Sequence, residues 1–132
     1  MIDDATLWTF ARFAPGQHFA PVTVPLDANR VAGWEAIYGA VIGATAPDGM
    51  IIAGMMEAYI HAIQPRPKGN VHAGQKIALT GAQVALGQTL TYRVGVAEKA
   101  EKKGRHWVTF TVRADHDGTE ILNGRIVAIW NA

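Results

Sequence analysis

The stretch that decides the fold is residues 49–64, GMIIAGMMEAYIHAIQ, a helix-compatible run that is apolar on nearly every side. A surface helix has an apolar stripe toward the core and a polar face toward water. In this run the strongly polar residues are Glu57, His61 and Gln64, and their spacing places them in one narrow line. We therefore expect a helix that is buried around most of its circumference and has one thin polar seam.

Length and composition limit the class of protein. The 132 residues are enough for one domain with a real core, and a composition of 49% hydrophobic and 17% charged residues is globular. A net charge of +1, with Lys and Arg scattered along the chain, argues against a nucleic-acid-binding protein. The absence of cysteine excludes disulfides and thiol chemistry. We expect a single domain over residues 1–132.

Targeting and cofactor signals are the next consideration. The sequence begins MIDDA, which is acidic where a signal peptide would be basic, and the 49–64 run is too short and too interrupted for a membrane span. No metal-ligand cluster, phosphate-binding loop or Ser-His-Asp order is visible in the sequence. We therefore expect a cytoplasmic protein without a metal or cofactor, and one that binds neither membranes nor nucleic acid.

The segments on either side of the central run predict the rest of the fold. The strand-like HFAPVTV ends at Pro25, and Asp27 is then the expected N-cap of a helix that Gly39 ends. The apolar side of that helix would carry Leu26, Val31, Trp34, Ile37 and Tyr38. After about Asn70, alternating residues in 90–96 and 107–114 predict strands, and the apolar RIVAIW predicts a central strand. The expected breaks are Gly87-Gln88, the charged EKAEKKG and Asp117-Gly118.

One long buried helix followed by four antiparallel strands indicates a particular α+β architecture. A sheet that curls around the helix would cover it on three sides, and a helix wrapped in this way needs little polar face. This is the hot-dog fold, in which a curled antiparallel sheet wraps one long central helix.

Four segments, in this order and spacing, resemble the MaoC-like family of hot-dog acyl-CoA hydratases and dehydratases. They are VPLDANRVAGWEAIYG, IIAGMM, VHAGQKI and GQTLTYRVGV, and together they cover nearly the whole chain. IIAGMM is similar to the family's I-V-H-G-M-L at the start of the central helix. The resemblance implies a hydratase or dehydratase that acts on 2-enoyl or 3-hydroxyacyl thioesters, with coenzyme A or an acyl carrier as part of the substrate.

The chain departs from this family at the catalytic pair. The family's aspartate and histidine belong to a D-x-N-P-x-H segment, whereas the interval between the two predicted helices, AVIGATAPD, has no histidine and only one acid, Asp48. Ala53 stands where the family has a histidine before the helix glycine. Asp27 and Asn29 give D-x-N, but a whole helix too early in the chain. Either the chain is inactive by the usual route, or its acid and base come from elsewhere.

Two glycines are candidates for binding the thioester carbonyl. The resemblance maps the backbone amide that holds this oxygen onto Gly54, where an early helical amide and a missing side chain would suit a substrate. Equally, Gly54 could simply permit tight packing of the helix on the sheet. A second resemblance, to hot-dog thioesterases of the phenylacetate-pathway type, places Asp48-Gly49-Met50 at their H-G-G positions and Gly49 in the oxyanion-binding turn.

Four side chains are candidates for acid and base chemistry. Asp48 could be a base at the pocket mouth or only the helix N-cap. Glu57 and His61, four residues apart on a helix, could act together as a base or an activating pair, or form an ion pair in the core or at an interface. His72 could supply an acid from a facing subunit or be an edge or surface histidine.

Two other functions stay open beside the hydratase. In a thioesterase, Glu57 would activate water or attack the thioester directly. In a non-catalytic subunit of a heteromeric hot-dog hydratase, the methionine-rich helix would accommodate the acyl group. All three functions predict a homodimer, a higher homo-oligomer or a pair with a second hot-dog subunit, because one curled sheet leaves an edge strand and one helix side open. The polar seam would then lie near the shared interface.

Overall fold

The computed structural model describes residues 6–132, so the acidic N-terminal pentapeptide lies outside the described residues. Within this range the elements are, in chain order, a 3-10 helix at Phe10–Arg12, β1 Val22–Pro25, α1 Ala28–Tyr38, α2 Asp48–Ala62, β2 Val71–Leu79, β3 Thr89–Lys102, β4 Arg105–His116 and β5 Thr119–Trp130. No helix in the described range is long and apolar enough to cross a membrane.

The strands form one antiparallel sheet in the order β1-β3-β4-β5-β2. The alternation in β3 and β4 is confirmed, since Leu90, Tyr92 and Val94 are buried while their neighbours point away from the core. RIVAIW lies in β5 between β4 and β2, which confirms the predicted central strand. The turn at Asp117-Gly118 is also confirmed, with positive φ at both residues as a two-residue hairpin turn requires.

One predicted break is wrong. The charged segment EKAEKKG does not interrupt the sheet, because residues 98–102 continue β3 and the turn contains only Lys103 and Gly104. The charges find partners there: Glu101 Oε1 lies 3.2 Å from His106 Nε2, and Lys99 Nζ donates to the carbonyl of Phe10 at 3.0 Å. Polar side chains that find partners across two strands stabilise a hairpin, so this charged segment is compatible with a strand.

The central helix α2 packs across β1, β3 and β4 and buries one face. The buried residues are Met50, Ile51, Gly54, Met55, Ala58 and Tyr59. The opposite face, which we call the open face of α2, has exposed Ala53 and His61, with Ile60 exposed by 45%. The exposed strip of α2 is narrow, as predicted, because four further residues of the helix are half-buried; it is only partly polar, since Ala53 and Ile60 lie in it.

The helix α1 begins and ends where the sequence predicts. Asp27 Oδ1 accepts a hydrogen bond from the backbone N–H of Arg30 at 2.9 Å, and Gly39 follows the last turn with a φ of 89°. No residue of α1 is fully buried, however. Ile37 and Tyr38, expected on its core side, are 74% and 67% exposed. The helix therefore lies on the surface beside α2.

Candidate functional site

A groove of about 630 Å³ runs between α1 and the first half of α2. Its lining residues are Asp27, Asn29, Arg30, Gly33, Trp34, Ile37, Tyr38, Met50 and Ala53. The first turn of α1 provides the polar groups, while aromatic and aliphatic side chains provide the walls. Apolar walls with a few convergent polar groups are typical of a small-molecule site, and the volume is in the usual range for one.

Asp27 and Asn29 line this groove even though they precede α2 by a whole helix. The connection between α1 and α2 spans only residues 39–47, and a short connection makes two helices antiparallel neighbours. The start of α1 therefore lies beside the middle of α2, where Ala53 also lines the groove. The D-x-N pair therefore lies beside α2 in spite of its distance along the chain. The short connection between the two helices is the sequence feature that predicts this proximity.

An ion pair joins the two helices beside the groove. Arg30 Nη2 lies 2.7 Å from Glu57 Oε2, and Arg30 Nε also donates to the carbonyl of Pro25 at 3.1 Å. Glu57 and His61 could have formed a pair along the helix, but in the described part of the chain no hydrogen bond or ion pair joins them. Arginine is always charged and offers planar donors that suit a carboxylate, which explains why it is the partner.

Asp48 is the first residue of α2 and follows the N-cap Pro47, so its interpretation as the N-cap is wrong. It lines a second cavity of about 660 Å³, between the start of α2 and the loop before β3, which shares no lining residue with the groove. A carboxylate in the first turn is favoured there by the helix dipole. The proposed role of Asp48 as a base stays a prediction, and it concerns a different cavity.

The glycines of α2 are explained by close packing. A Cβ atom at Gly49 would lie 2.7 Å from Cη2 of Trp34, and one at Gly54 would lie 2.6 Å from the hydroxyl oxygen of Tyr92. That hydroxyl donates a hydrogen bond of 2.6 Å to the carbonyl of Ile51, so it has no freedom to withdraw. Packing therefore favours glycine at both positions, and a role for either in binding a thioester carbonyl stays a prediction.

The two candidate histidines lie away from the groove lining. His72 is exposed on β2, an edge strand of the sheet, and its Nε2 lies 3.1 Å from Oε1 of Gln75. His61 is exposed near the end of α2. Among residues 6–132 no group of three or more His, Asp or Glu side chains is placed to hold a metal ion. A role for His72 as an acid toward a facing subunit stays a prediction.

The charges of Arg30 and Glu57 both act on the pKa of Tyr92. Burial raises the pKa of the Tyr92 hydroxyl far above its ordinary value; the charge of Arg30 lowers this pKa in part, and the charge of Glu57 raises it further. Burial also raises the pKa of Tyr59, against the effect of the neighbouring Arg66. Both phenols therefore stay protonated at neutral pH, and Tyr92 is a hydrogen-bond donor to α2.

The chain resembles known proteins in structure and not detectably in sequence. No protein-family model matches the chain, and no curated protein matches its sequence. Solved structures do match. The (R)-hydratase from A. caviae involved in PHA biosynthesis has a TM-score of 0.68 at 20% identity, with 91% of this chain and 98% of that chain covered. A variant of the fluoroacetyl-CoA-specific thioesterase FlK has a TM-score of 0.67 at 17% identity, with coverage of 89% and 87%.

The third similar structure is the HadBC (3R-hydroxyacyl-ACP dehydratase) complex from Mycobacterium tuberculosis, with a TM-score of 0.65 at 12% identity and coverage of 87% and 96%. The chain has a hot-dog fold. The hot-dog fold predicted from residues 49–64 is thereby confirmed, with the buried face of α2 packed on the sheet.

We predict that Gly54→Ala destabilises the protein by about 1–3 kcal/mol, because the new methyl group would collide with a hydroxyl that cannot move. Tyr92→Phe alone should cost about 1 kcal/mol, the value of a buried hydrogen bond. The double variant should be more stable than the sum of the two losses, because removal of the hydroxyl makes room for the methyl group. Urea unfolding of all four proteins measures this coupling, and strictly additive losses would contradict the packing role of Gly54.

We also predict that stability falls as the pH rises above about 10. Below that pH Tyr92 is protonated in both the folded and the unfolded chain, so its contribution to the free energy of unfolding does not change with pH. Above it the unfolded chain releases the proton while the buried phenol keeps it, so alkaline pH favours unfolding. Tyr92→Phe should make the loss of stability with pH less steep, whereas Tyr38→Phe, at an exposed tyrosine, should leave it unchanged. Urea midpoints between pH 8 and pH 11 test this, and equal slopes for wild type and Tyr92→Phe would disprove it.

Proposed function

We propose that the chain binds an acyl thioester, of coenzyme A or an acyl carrier, in the groove between α1 and α2. We further propose that it acts as a hydratase or dehydratase on 2-enoyl or 3-hydroxyacyl thioesters, with an atypical catalytic pair. The observation that carries the proposal is the lining of the groove, which combines apolar walls with one carboxylate, that of the exposed Asp27. The likeness in fold to an (R)-hydratase and to a hydroxyacyl dehydratase complex supports it.

In this proposal the reaction adds the elements of water across the double bond of a 2-enoyl thioester. The oxygen of water forms a bond to C3, and a proton is delivered to C2. Asp27 accepts the proton from water as the new C–O bond forms, then returns it to C2, because no histidine lines the groove. Asn29 provides a neutral amide that polarises the thioester carbonyl, while Trp34 and Ile37 contact the acyl chain.

Purified protein incubated with 2-enoyl and saturated acyl-CoA thioesters tests this proposal, when loss of the conjugated double bond and release of free thiol are followed in parallel. We predict loss of the double bond without thiol release. Asp27→Asn should lower kcat at least a hundredfold, since general base catalysis is worth about 10²–10⁴. Asparagine is as good an N-cap as aspartate, so α1 should remain folded. Asp48→Asn, the same change at the second cavity, is the matched control. A larger fall in kcat in this variant than in Asp27→Asn would indicate that Asp48 is the base.

A thioesterase is the second candidate, and the Arg30–Glu57 pair favours it. Arg30 holds one carboxylate oxygen of Glu57, whose side chain is 41% exposed at the edge of the groove. In this alternative Glu57 activates water or attacks the thioester carbonyl, and the thiol leaves. Thiol release that Glu57→Gln abolishes would support it and exclude the hydratase. Binding of acyl-CoA without either reaction would instead support a non-catalytic subunit, and absence of binding would contradict all three functions.

We also propose that the chain forms a dimer with a second copy or a second hot-dog subunit. Within residues 6–132 the outer edge of β2 has no strand partner, and Val71 on that strand is 50% exposed. The open face of α2 carries Ile60 beside His61. Unpaired strand edges and apolar helix faces are the surfaces that a partner covers. The oligomeric HadBC complex, which has a similar fold, is consistent with such an assembly.

We predict a dimer at micromolar concentration in light scattering coupled to size exclusion. Ile60→Glu should convert it to a monomer, because a charge in an apolar interface is costly. Ile42→Glu places the same charge on an isoleucine that is 97% exposed in the loop before α2, and should leave the mass unchanged. A wild-type monomer in the absence of any co-purified subunit would disprove the shared interface.

A further inference from the structure

The outer face of the sheet, turned away from α2, has a depression of about 460 Å³ that no part of the proposed function uses. Its polar lining consists of Arg93 on β3, Thr111 and Arg113 on β4, Asn123 and Arg125 on β5, and His18 from the N-terminal segment. Asp and Glu are absent from the lining residues. The depression shares no residue with the groove between α1 and α2.

The strand register places like charges directly opposite one another in this depression. Arg93 is paired with Arg113 across β3 and β4, and Arg125 is paired with Lys76 across β5 and β2. Like charges directly opposite in an antiparallel sheet are destabilising. Two such pairs lie in neighbouring rows, because Thr111, two residues before Arg113, is the partner of Arg125. A bound anion would offset the part of this repulsion that neighbouring acidic side chains leave.

Acidic side chains neutralise this surface only in part. Asp115 Oδ2 lies 3.2 Å from Nε of Arg93, and Glu120 Oε1 lies 2.8 Å from Nε of Arg113. Arg125 is exposed, and within the described residues it has no ion pair. Since the Asp115 and Glu120 bonds engage the Nε atoms, the guanidinium ends of Arg93 and Arg113 remain available as donors. The depression thus keeps a positive charge.

One wall of the depression is held in place by a close backbone contact. The segment before β1 forms a bridge to Gly95, where Val96 N–H donates to the carbonyl of Gln17 at 2.8 Å. A Cβ at Gly95 would lie 2.9 Å from that same carbonyl oxygen and 3.0 Å from Nδ1 of His18. Glycine at this position allows His18 to lie close to the sheet beside Thr111. The wall is therefore a fixed part of the fold.

We propose that this depression binds the phosphate groups of a small phosphorylated ligand of nucleotide size. Guanidinium groups match phosphate oxygens in charge and in planar geometry, and the hydroxyl of Thr111 adds a neutral donor, while Asn123 Nδ2 already donates to Glu120 Oε2 at 3.1 Å. Three arginine side chains on three adjacent strands can contact two phosphates at once, and the volume suits a ligand larger than a single anion. The site lies on the opposite face of the sheet from the groove, so the ligand binds independently of the acyl thioester.

Calorimetry with ADP, inorganic pyrophosphate and adenosine as probes, at low ionic strength, tests this site. Wild type should bind ADP and pyrophosphate but not adenosine; tighter binding of ADP would mean that the nucleoside also contributes. Arg125→Gln should weaken binding about tenfold or more, the value of one charge-assisted hydrogen bond. Arg105→Gln removes the same charge at the far end of β4, about 20 Å along the strand, and should bind as wild type.

The thermal midpoint of each variant distinguishes the loss of a ligand contact from destabilisation of the fold. Arg125→Gln should melt no lower than wild type, because it removes repulsion from Lys76 and breaks no ion pair within the described residues. Arg113→Gln should weaken binding to a similar degree, even though it loses the contact with Glu120. Absence of ADP and pyrophosphate binding to wild type would overturn the proposal. Equal weakening by Arg105→Gln, or adenosine binding as tight as ADP binding, would overturn it as well.

Discussion

The hydroxyl of Tyr92 meets α2 in the space left by Gly54, and this contact determines how close the helix lies to the sheet. The hydroxyl donates to the carbonyl of Ile51 at 2.6 Å, so one buried hydrogen bond connects β3 to the helix. With any side chain at residue 54, either the ring of Tyr92 or the helix would have to shift. Because protein interiors are close-packed, such a movement would loosen the contacts of Met55 and Ala58 with the same sheet.

The position of α2 in turn determines the groove. With one face buried on the sheet, α2 presents its other side to α1, where Arg30 forms an ion pair with Glu57 and the ring of Trp34 lies close to Gly49. The groove lies beside these contacts, between α1 and α2, and Asp27 lines it as the residue that caps α1.

Local signals in the sequence predicted the fold well but did not predict the contact between the two helices beside the groove. The alternation around Tyr92, the cap at Asp27 and the turn at Asp117-Gly118 act over a few residues, so they can be read directly from the chain. The partner of Glu57 could not be read in this way, since Arg30 lies 27 positions away while His61 is a local neighbour. Tertiary contacts of this kind depend on how two helices pack, and the sequence alone does not encode that in any short pattern.

The two faces of the sheet are under different constraints. On the inner face the close-packed core limits the volume of each side chain. At Gly54, for example, a methyl group would collide with Tyr92. On the outer face water tolerates most side chains, so alternating opposite charges would be soluble and more stable than Arg93 opposite Arg113. A surface that forgoes available stability in two neighbouring rows is better explained by a function of those charges than by solubility. Since the neighbouring β3 and β4 residues point into the buried core, a ligand on the outer face would lie directly behind that core.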